Sequence, residues 1–235
     1  MSSTIVTAFI LAGGQSSRMG RDKALVPLNG QPLIHHAISL IHQLGLQPTI
    51  AGARSNLATY APILPDDTPD RGPLSGICTA LRHTTTELAL FLPIDLPLLP
   101  ASLLRYLIFH AQITGRAATL ASLNAFPQTF PAVLRRNALP ILESELQSNR
   151  TGCLSAFKTA GVQILPIEML TQSGHISDPR ALPPYRWFTN LNTPTDLRHA
   201  DQCLQTREPG RPGGTRDNSP GRQPRVGDAD EAAVP

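Results

Sequence analysis

Two uninterrupted apolar runs, "IVTAFIL" at 5–11 and "LALFLPID" at 88–95, do most to constrain the fold. A strand with one wet face alternates apolar and polar residues, whereas a strand covered on both faces need not. Around these runs the period changes to that of a helix. In "PLIHHAISLIHQLG" (32–45), Ile34, Ala37, Ile38, Ile41 and Leu44 form one stripe, with Pro32 at its start and Gly45 at its end. "PTIAGA" (48–53) reads as a short strand, "SGICTALRH" (75–83) as a helix after a Gly-Pro turn, and "PASLLRYLIFHA" (100–111) as another helix. Strands "AATLASL" (117–123) and "QTFPAVLR" (128–135) follow, then helices near 138–148 and 153–160, strand "VQILPI" (162–167), and a last helix from Pro194. The alternation predicts a single α/β domain over residues 1–205: a three-layer α/β/α architecture around a mostly parallel mixed sheet. One strand at least runs antiparallel, because 117–123 and 128–135 are joined too closely for a helical crossover.

A hydrophobic content of 41% supports a sizeable core. Net charge is only +3 and aromatic residues are 5%, with no Lys/Arg run interleaved with aromatics, so no nucleic-acid partner is expected. No apolar stretch reaches the length of a membrane helix, and "MSSTIVTAFILAGG" reads as a first strand rather than a signal peptide. A cytoplasmic monomer is expected. Cys78, Cys153 and Cys203 are widely spaced and show neither a disulfide framework nor a zinc pattern. Residues 206–235 differ in kind: they hold five Pro, five Gly, five Arg and five acidic residues, with Val226 and Val234 as the sole aliphatics besides alanine. Such a segment cannot bury enough surface to offset its ordering entropy, and a disordered tail is expected there.

In parallel sheets ligands bind beyond the carboxyl ends of the strands. "LAGGQSSRMGRDKAL" (11–25) leaves the first strand at that edge, and Asp95 ends the second apolar run at the same edge. Gly13, Gly14 and Gly20 let backbone N–H groups approach an anion closely. Arg18 and Lys23 add positive charge suited to phosphate oxygens. The loop therefore reads as a polyphosphate cradle. It matches neither GxxxxGK[ST] nor GxGxxG, which disfavours a P-loop or a dinucleotide site.

"LAGGQSSRMGRDKALVPLNGQPL" is similar to the signature of nucleotidyltransferases of the nucleotide-diphosphate-sugar pyrophosphorylase type. With "FLPIDLPLLP" and "FTNLNTPTDL" it most resembles the molybdenum cofactor guanylyltransferase family, over about residues 5–203. The resemblance implies a Rossmann-like nucleotidyltransferase fold and a reaction in which GTP and the phosphate of molybdopterin give a guanine dinucleotide and pyrophosphate. It implies Mg²⁺ as cofactor, with Asp95 as metal ligand, and molybdoenzymes or their chaperones as protein partners. Leu11, Ala12, Gly13 and Gly14 would contact the nucleotide, Lys23 its phosphates, and Asp66 or the adjacent Asp67 the guanosine. Asn190 and Asn192 would lie on the acceptor or metal side. The loop Gly72–Gly76 matches the base-side loop. Ala53 stands where the family commonly has an Asn, with Asn56 as a substitute.

The chemistry fits the residues. Attack of an acceptor phosphate on the α-phosphorus of a nucleoside triphosphate joins two anions, which Lys23 and Arg18 would neutralise together with the leaving pyrophosphate. Catalytic roles therefore fall to Lys23, Arg18 and Asp95, and no side-chain nucleophile is needed. CMP transfer to the same pterin, nucleotidyl transfer to a sugar or alcohol phosphate, and a nucleotide-binding regulatory module are the alternatives. Thr193 is expected to cap the last helix in any case.

Overall fold

The computed structural model describes residues 6–12, 22–52, 55–68 and 71–205. Its strands are β1 (Val6–Leu11), β2 (Pro27–Leu28), β3 (Gln31–Pro32), β4 (Pro48–Ala51), β5 (Ile63–Leu64), β6 (Leu88–Pro93), β7 (Ala118–Leu123), β8 (Phe126–Arg135) and β9 (Val162–Pro166). Its helices are α1 (Leu33–His42), α2 (Pro73–His83), α3 (Ala101–Thr114), α4 (Leu139–Gln147), α5 (Cys153–Ala160), α6 (Ile167–Gln172), α7 (Pro184–Trp187) and α8 (Pro194–Gln205). The Gly-rich loop from Gly13 to Arg21 and the segment 206–235 lie outside the described residues. Gly13, Gly14, Arg18, Gly20 and Ala53 lie outside them as well.

Seven strands form one sheet in the order β5-β4-β1-β6-β8-β7-β9. All neighbouring pairs are parallel except those of β8, which runs antiparallel to both β6 and β7. The expected mixed, mostly parallel sheet is thus present, and the close junction of β7 and β8 supplies its antiparallel strand. β8 carries Pro131, which cannot donate to a ladder. Pairing with β7 jumps from Leu120–Ala132 to Ala121–Gln128, and pairing with β6 covers only Ala132–Arg135, so Pro131 falls in the irregular stretch.

The alternation of side chains along β1 and β6 divides the core into two layers. Ala8 and Ile10, with Leu88, Leu90 and Leu92, pack under α1, α3 and α6 through Ile34, Ile38, Ile41, Leu103, Leu107 and Ile167. Phe9, Ala89 and Phe91 face the other way, toward Leu74, Ile77 and Leu81 of α2 and Leu142 and Phe157 beyond it. Phe9 and Phe91 stack across the β1–β6 pair with ring centroids 5.5 Å apart. Each fully buried Ile or Leu of these layers contributes about 1.5–3 kcal/mol relative to exposure. A smaller third cluster joins Leu28 and Leu33 to Leu98, Leu191 and Ala200, docking α8 against the β2–β3 hairpin. That hairpin turns on Asn29 and Gly30, both at positive φ (47° and 73°), as two-residue turns of this kind require.

Strand order sets the place of the site. The chain leaves β1 through α1 to reach β4 on one side, then returns as β6 on the other side of β1. The crevice between the carboxyl ends of β1 and β6 is the topological switch point, where open α/β sheets bind ligands.

Candidate functional site

Leu11 and Pro93 are register partners at the ends of β1 and β6, and Ile94 N donates to the Leu11 carbonyl at 3.3 Å. Strand β6 itself stops at Pro93, and Asp95 lies in the turn that follows rather than within the strand. Leu11 and the buried Ala12 stand beside that turn, at the last described positions before the Gly-rich loop.

Lys23 is brought to the same edge by a short 3₁₀ turn, Lys23–Leu25. Asp22 caps that turn, its Oδ1 accepting from Ala24 N at 3.1 Å. The other oxygen of Asp22 accepts from Asn56 Nδ2 at 2.6 Å. Asn56 is thereby committed to the loop that carries Lys23, so its amide group serves to hold that loop. Lys23 Nζ then reaches Asp95 Oδ2 at 3.1 Å and Asn192 Oδ1 at 2.6 Å. Three residues drawn from the first, middle and last parts of the chain meet on one ammonium group.

Asn192 is placed by the start of α8. Thr193 Oγ1 accepts from Asp196 N, and Asp196 Oδ2 accepts from the backbone N–H groups of both Asn192 and Thr193. This is a reciprocal capping box, with Asp in the role usually taken by Glu. The Thr193 hydroxyl, followed by the two backbone N–H groups, holds the Asp196 carboxyl below the usual carboxylate range. Leu191 N donates to the Asp95 carbonyl at 3.1 Å, so the Asn loop and the Asp95 turn are tied by backbone as well. Asn190 is exposed beside them.

The second part of the site lies at the start of α2. Gly72 takes φ 78°, and Pro73 opens the helix. Buried Ser75 and Thr79 lay the preceding loop along the helix: Ser75 Oγ donates to the Thr68 carbonyl at 2.9 Å and Thr79 Oγ1 accepts from Asp67 N at 3.2 Å. Asp66 consequently lies against Gly76, where a Cβ would stand 2.9 Å from Asp66 Oδ1. Burial, and secondarily the neighbouring Asp67, raises the Asp66 carboxyl above its ordinary value. Asp67 is engaged elsewhere, in an ion pair with Arg82, which also binds Glu143. Among the described residues, Asp66 takes part in no such ion pair.

Of the sequence-predicted residues, Lys23, Asp95 and Asn192 converge by direct contact, Leu11 and Ala12 border them, and Asp66 lies on the α2 flank. Asp22, Asn56 and Asp196 take supporting roles that arise from loops the fold brings together. The spacing Thr193-x-x-Asp196 is itself a capping-box signature and marks Asp196 in the sequence. Among the described residues no three His, Cys, Asp or Glu side chains converge to hold a metal. In phosphate sites Mg²⁺ commonly takes one or two carboxylates and completes its shell with phosphate oxygens and water. One part-exposed carboxylate beside an ammonium group suits that kind of site, and Asp95 is such a carboxylate. Cys78 and Cys153 are buried in the core and Cys203 is half-buried on α8.

Residues 8–161 match the family model of the MobA-like NTP transferase domain. A probable molybdenum cofactor guanylyltransferase of Carboxydothermus hydrogenoformans is 30% identical over 207 residues, covering 86% of this chain and 98% of that protein. A molybdenum cofactor guanylyltransferase of Xanthomonas euvesicatoria is 41% identical over 151 residues, covering 62% of this chain and 75% of that protein. Among solved structures, the molybdopterin-guanine dinucleotide biosynthesis protein A of Archaeoglobus fulgidus superposes with a TM-score of 0.71 at 23% identity, covering 84% of this chain and 98% of that one. The family model covers more than half of the chain and the Carboxydothermus relative most of it, and the chain belongs to the molybdenum cofactor guanylyltransferase family of MobA-like nucleotidyltransferases.

Proposed function

We propose that this protein transfers GMP from GTP to the phosphate of molybdopterin, releasing pyrophosphate. The observation that carries the proposal is the meeting of Lys23, Asp95 and Asn192 at the β1–β6 switch point, in a chain whose relatives bear that activity in their names. An acceptor phosphate oxygen attacks the α-phosphorus of GTP; the new P–O bond forms as the bond to the β-phosphate oxygen breaks, and the electron pair leaves with pyrophosphate.

Lys23 is held at the crevice by Asp95 and Asn192, where it neutralises phosphate charge that accumulates in the transition state. Arg18 and the backbone of Gly13 and Gly14 complete the phosphate cradle. Asp95 would hold Mg²⁺ together with phosphate oxygens, and the ion would supply Lewis-acid and template chemistry there. Asp66 accepts hydrogen bonds from the guanine edge, and the absence of a side chain on Gly76 leaves space for its carboxylate. Asn192, and Asn190 beside it, face the acceptor. Molybdoenzymes or their chaperones receive the product, and the protein acts in the cytoplasm as a monomer.

A product assay with GTP, CTP, ATP and UTP, each with Mg²⁺ and molybdopterin, tests the proposal. Guanine dinucleotide and pyrophosphate in equal amounts are expected. Faster product from CTP would favour the cytidylyl alternative. Triphosphate binding without turnover would favour a regulatory module.

A further inference from the structure

The segment 94–100, which links β6 to α3 and carries Asp95, is held by a part-buried ion pair outside the reactive cluster. Asp178 is only 1% exposed at its side chain, and Arg180 grips it through two points, Nε to Oδ1 at 2.9 Å and Nη2 to Oδ2 at 3.0 Å. The Arg180 backbone N–H donates to the same Oδ1 at 2.8 Å. With its guanidinium fixed in this way, Arg180 Nη2 also donates to the Leu98 carbonyl at 2.5 Å. The adjoining residues are tied too: Ser102 Oγ bonds both the carbonyl and the N–H of Ser177.

A buried ion pair is poor evidence for stability, because desolvating two charges offsets most of their attraction. What this pair supplies is a rigid donor aimed at one carbonyl. Asp95 is thereby pinned from three sides: at Ile94 by the Leu11 carbonyl, at its own carbonyl by Leu191 N, and at Leu98 by Arg180. The chain that carries Arg180 continues through α7 to Asn190 and Asn192, so the same clamp joins the Asp95 turn to the Asn loop.

We propose that Arg180, oriented by Asp178, is a positioning residue that sets the Asp95 carboxylate for metal binding. The inference rests on the role of Asp95 given above. Misplacement of a reacting group by about 1 Å can cost about 10²-fold in rate, so a clamp at this distance from the chemistry has leverage. A cavity of about 480 Å³, lined in part by His36, Arg105, Asp178 and Arg180, lies alongside and leaves room for replacement side chains without overpacking.

The test uses the full chain and the double variant Asp178→Asn/Arg180→Met, which removes both charges and leaves neither orphaned. Arg180→Lys is the second variant, keeping the charge and losing the planar fork. Binding of Mn²⁺ in the presence of GTP, followed by electron paramagnetic resonance, is measured beside kcat and KM for GTP. A folded double variant is expected to bind Mn²⁺ about tenfold more weakly and to lose about 10–100-fold in kcat, with KM for GTP within about threefold of wild type. Arg180→Lys is expected to recover thermal stability but only part of kcat. Mn²⁺ affinity and kcat at wild-type level in either folded variant would overturn the inference. Asp95→Asn, run in parallel, separates the two ideas: unchanged Mn²⁺ binding there removes the role of Asp95 itself, whereas a loss there with intact clamp variants removes only the clamp.

Discussion

Lys23 Nζ and Asn192 Oδ1 lie 2.6 Å apart, although 169 positions of chain separate them. Loop closure over such a span has a slowly growing entropic cost, and it is met by the folding of everything between. Asp95 joins the same ammonium at 3.1 Å, so a carboxylate and an amide oxygen meet on this cation. An incoming triphosphate changes that balance. On the function proposed above, its oxygens would compete for Lys23 Nζ with Asn192 and Asp95, whose side chains would then turn to the acceptor and the metal.

Removing either end of the Lys23–Asp95 contact tests this exchange. Lys23→Ala is expected to lower kcat/KM by about 10²–10³-fold, and to weaken GTP binding along with it, because the phosphate contact exists in the ground state too. Asp95→Asn keeps the shape and removes the charge; its Mg²⁺ requirement should rise, and excess Mg²⁺ should restore part of the rate. Both variants should keep the wild-type circular dichroism spectrum, since neither residue belongs to the core. Undiminished turnover by Lys23→Ala at saturating GTP would show that another group neutralises the phosphates.

Asp66 and Gly76 offer a test of base selection. A ligand that donates to Asp66 requires the carboxylate, and burial has raised its protonation range above that of an ordinary Asp. Protonation on acidification removes an acceptor, so the preference for GTP over ATP should fall as pH drops through the raised Asp66 range, and be full above it. Asp66→Asn should flatten that dependence. Gly76→Ala would place a methyl group 2.9 Å from Asp66 Oδ1, forcing the carboxylate aside, and should weaken GTP binding while leaving ATP binding nearly unchanged. Isothermal titration with each nucleotide across pH measures both effects.

The segment 206–235 offers only Val226 and Val234 as aliphatics besides alanine, whereas Leu204 of α8 packs against the cluster around Leu28 and Leu191. A chain ending at Gln205 should therefore melt within about 2 °C of the full protein and turn over GTP at the same rate. A chain ending before Leu204 should lose stability, because part of the α8 packing goes with it. Differential scanning calorimetry on the two truncations checks the boundary.

The layers of the fold were legible because burial on both faces leaves a continuous apolar run, and Ile10 and Leu90 need no partner residue to be recognised. The strand-end location of the site followed from the same two runs. Short elements were less visible. The hairpin at Asn29-Gly30 carries a strong turn signal, but its strands have two residues each and no alternation to count. Helices α6 and α7 are too short to display a helical stripe. Contacts such as Asn56 to Asp22 and Asp67 to Arg82 depend on which loops the tertiary fold brings together, and a single sequence does not encode that pairing in its periodicity. They place two residues: Asp67 is drawn into an ion pair with Arg82, and Asn56 into a hydrogen bond that holds the Lys23 loop.

Thr193 and Asp196 set the Asn192 backbone, and their capping box links helix stability to the site. Thr193→Ala removes the hydroxyl that caps α8 and should cost about 1 kcal/mol, or about 3 °C in Tm. The effect on turnover should exceed what that loss of stability explains, because Asn192 N and Thr193 N lose their ordered acceptor geometry together. The pH dependence has a definite sign. The Asp196 carboxyl is held lower in the folded protein than in the unfolded chain, chiefly by the Thr193 hydroxyl. Its contribution is therefore fully present above the unfolded value of about 3.9 and is lost as pH falls through the lower folded value. Wild type should keep the Asn192 and Thr193 amides protected from hydrogen exchange at about pH 4, whereas Asp196→Ala should leave them unprotected at every pH. Equal protection in the two proteins would mean that the loop is held by the Leu191 and Lys23 contacts alone, and the Thr193 variant would then lose stability without a further loss of activity.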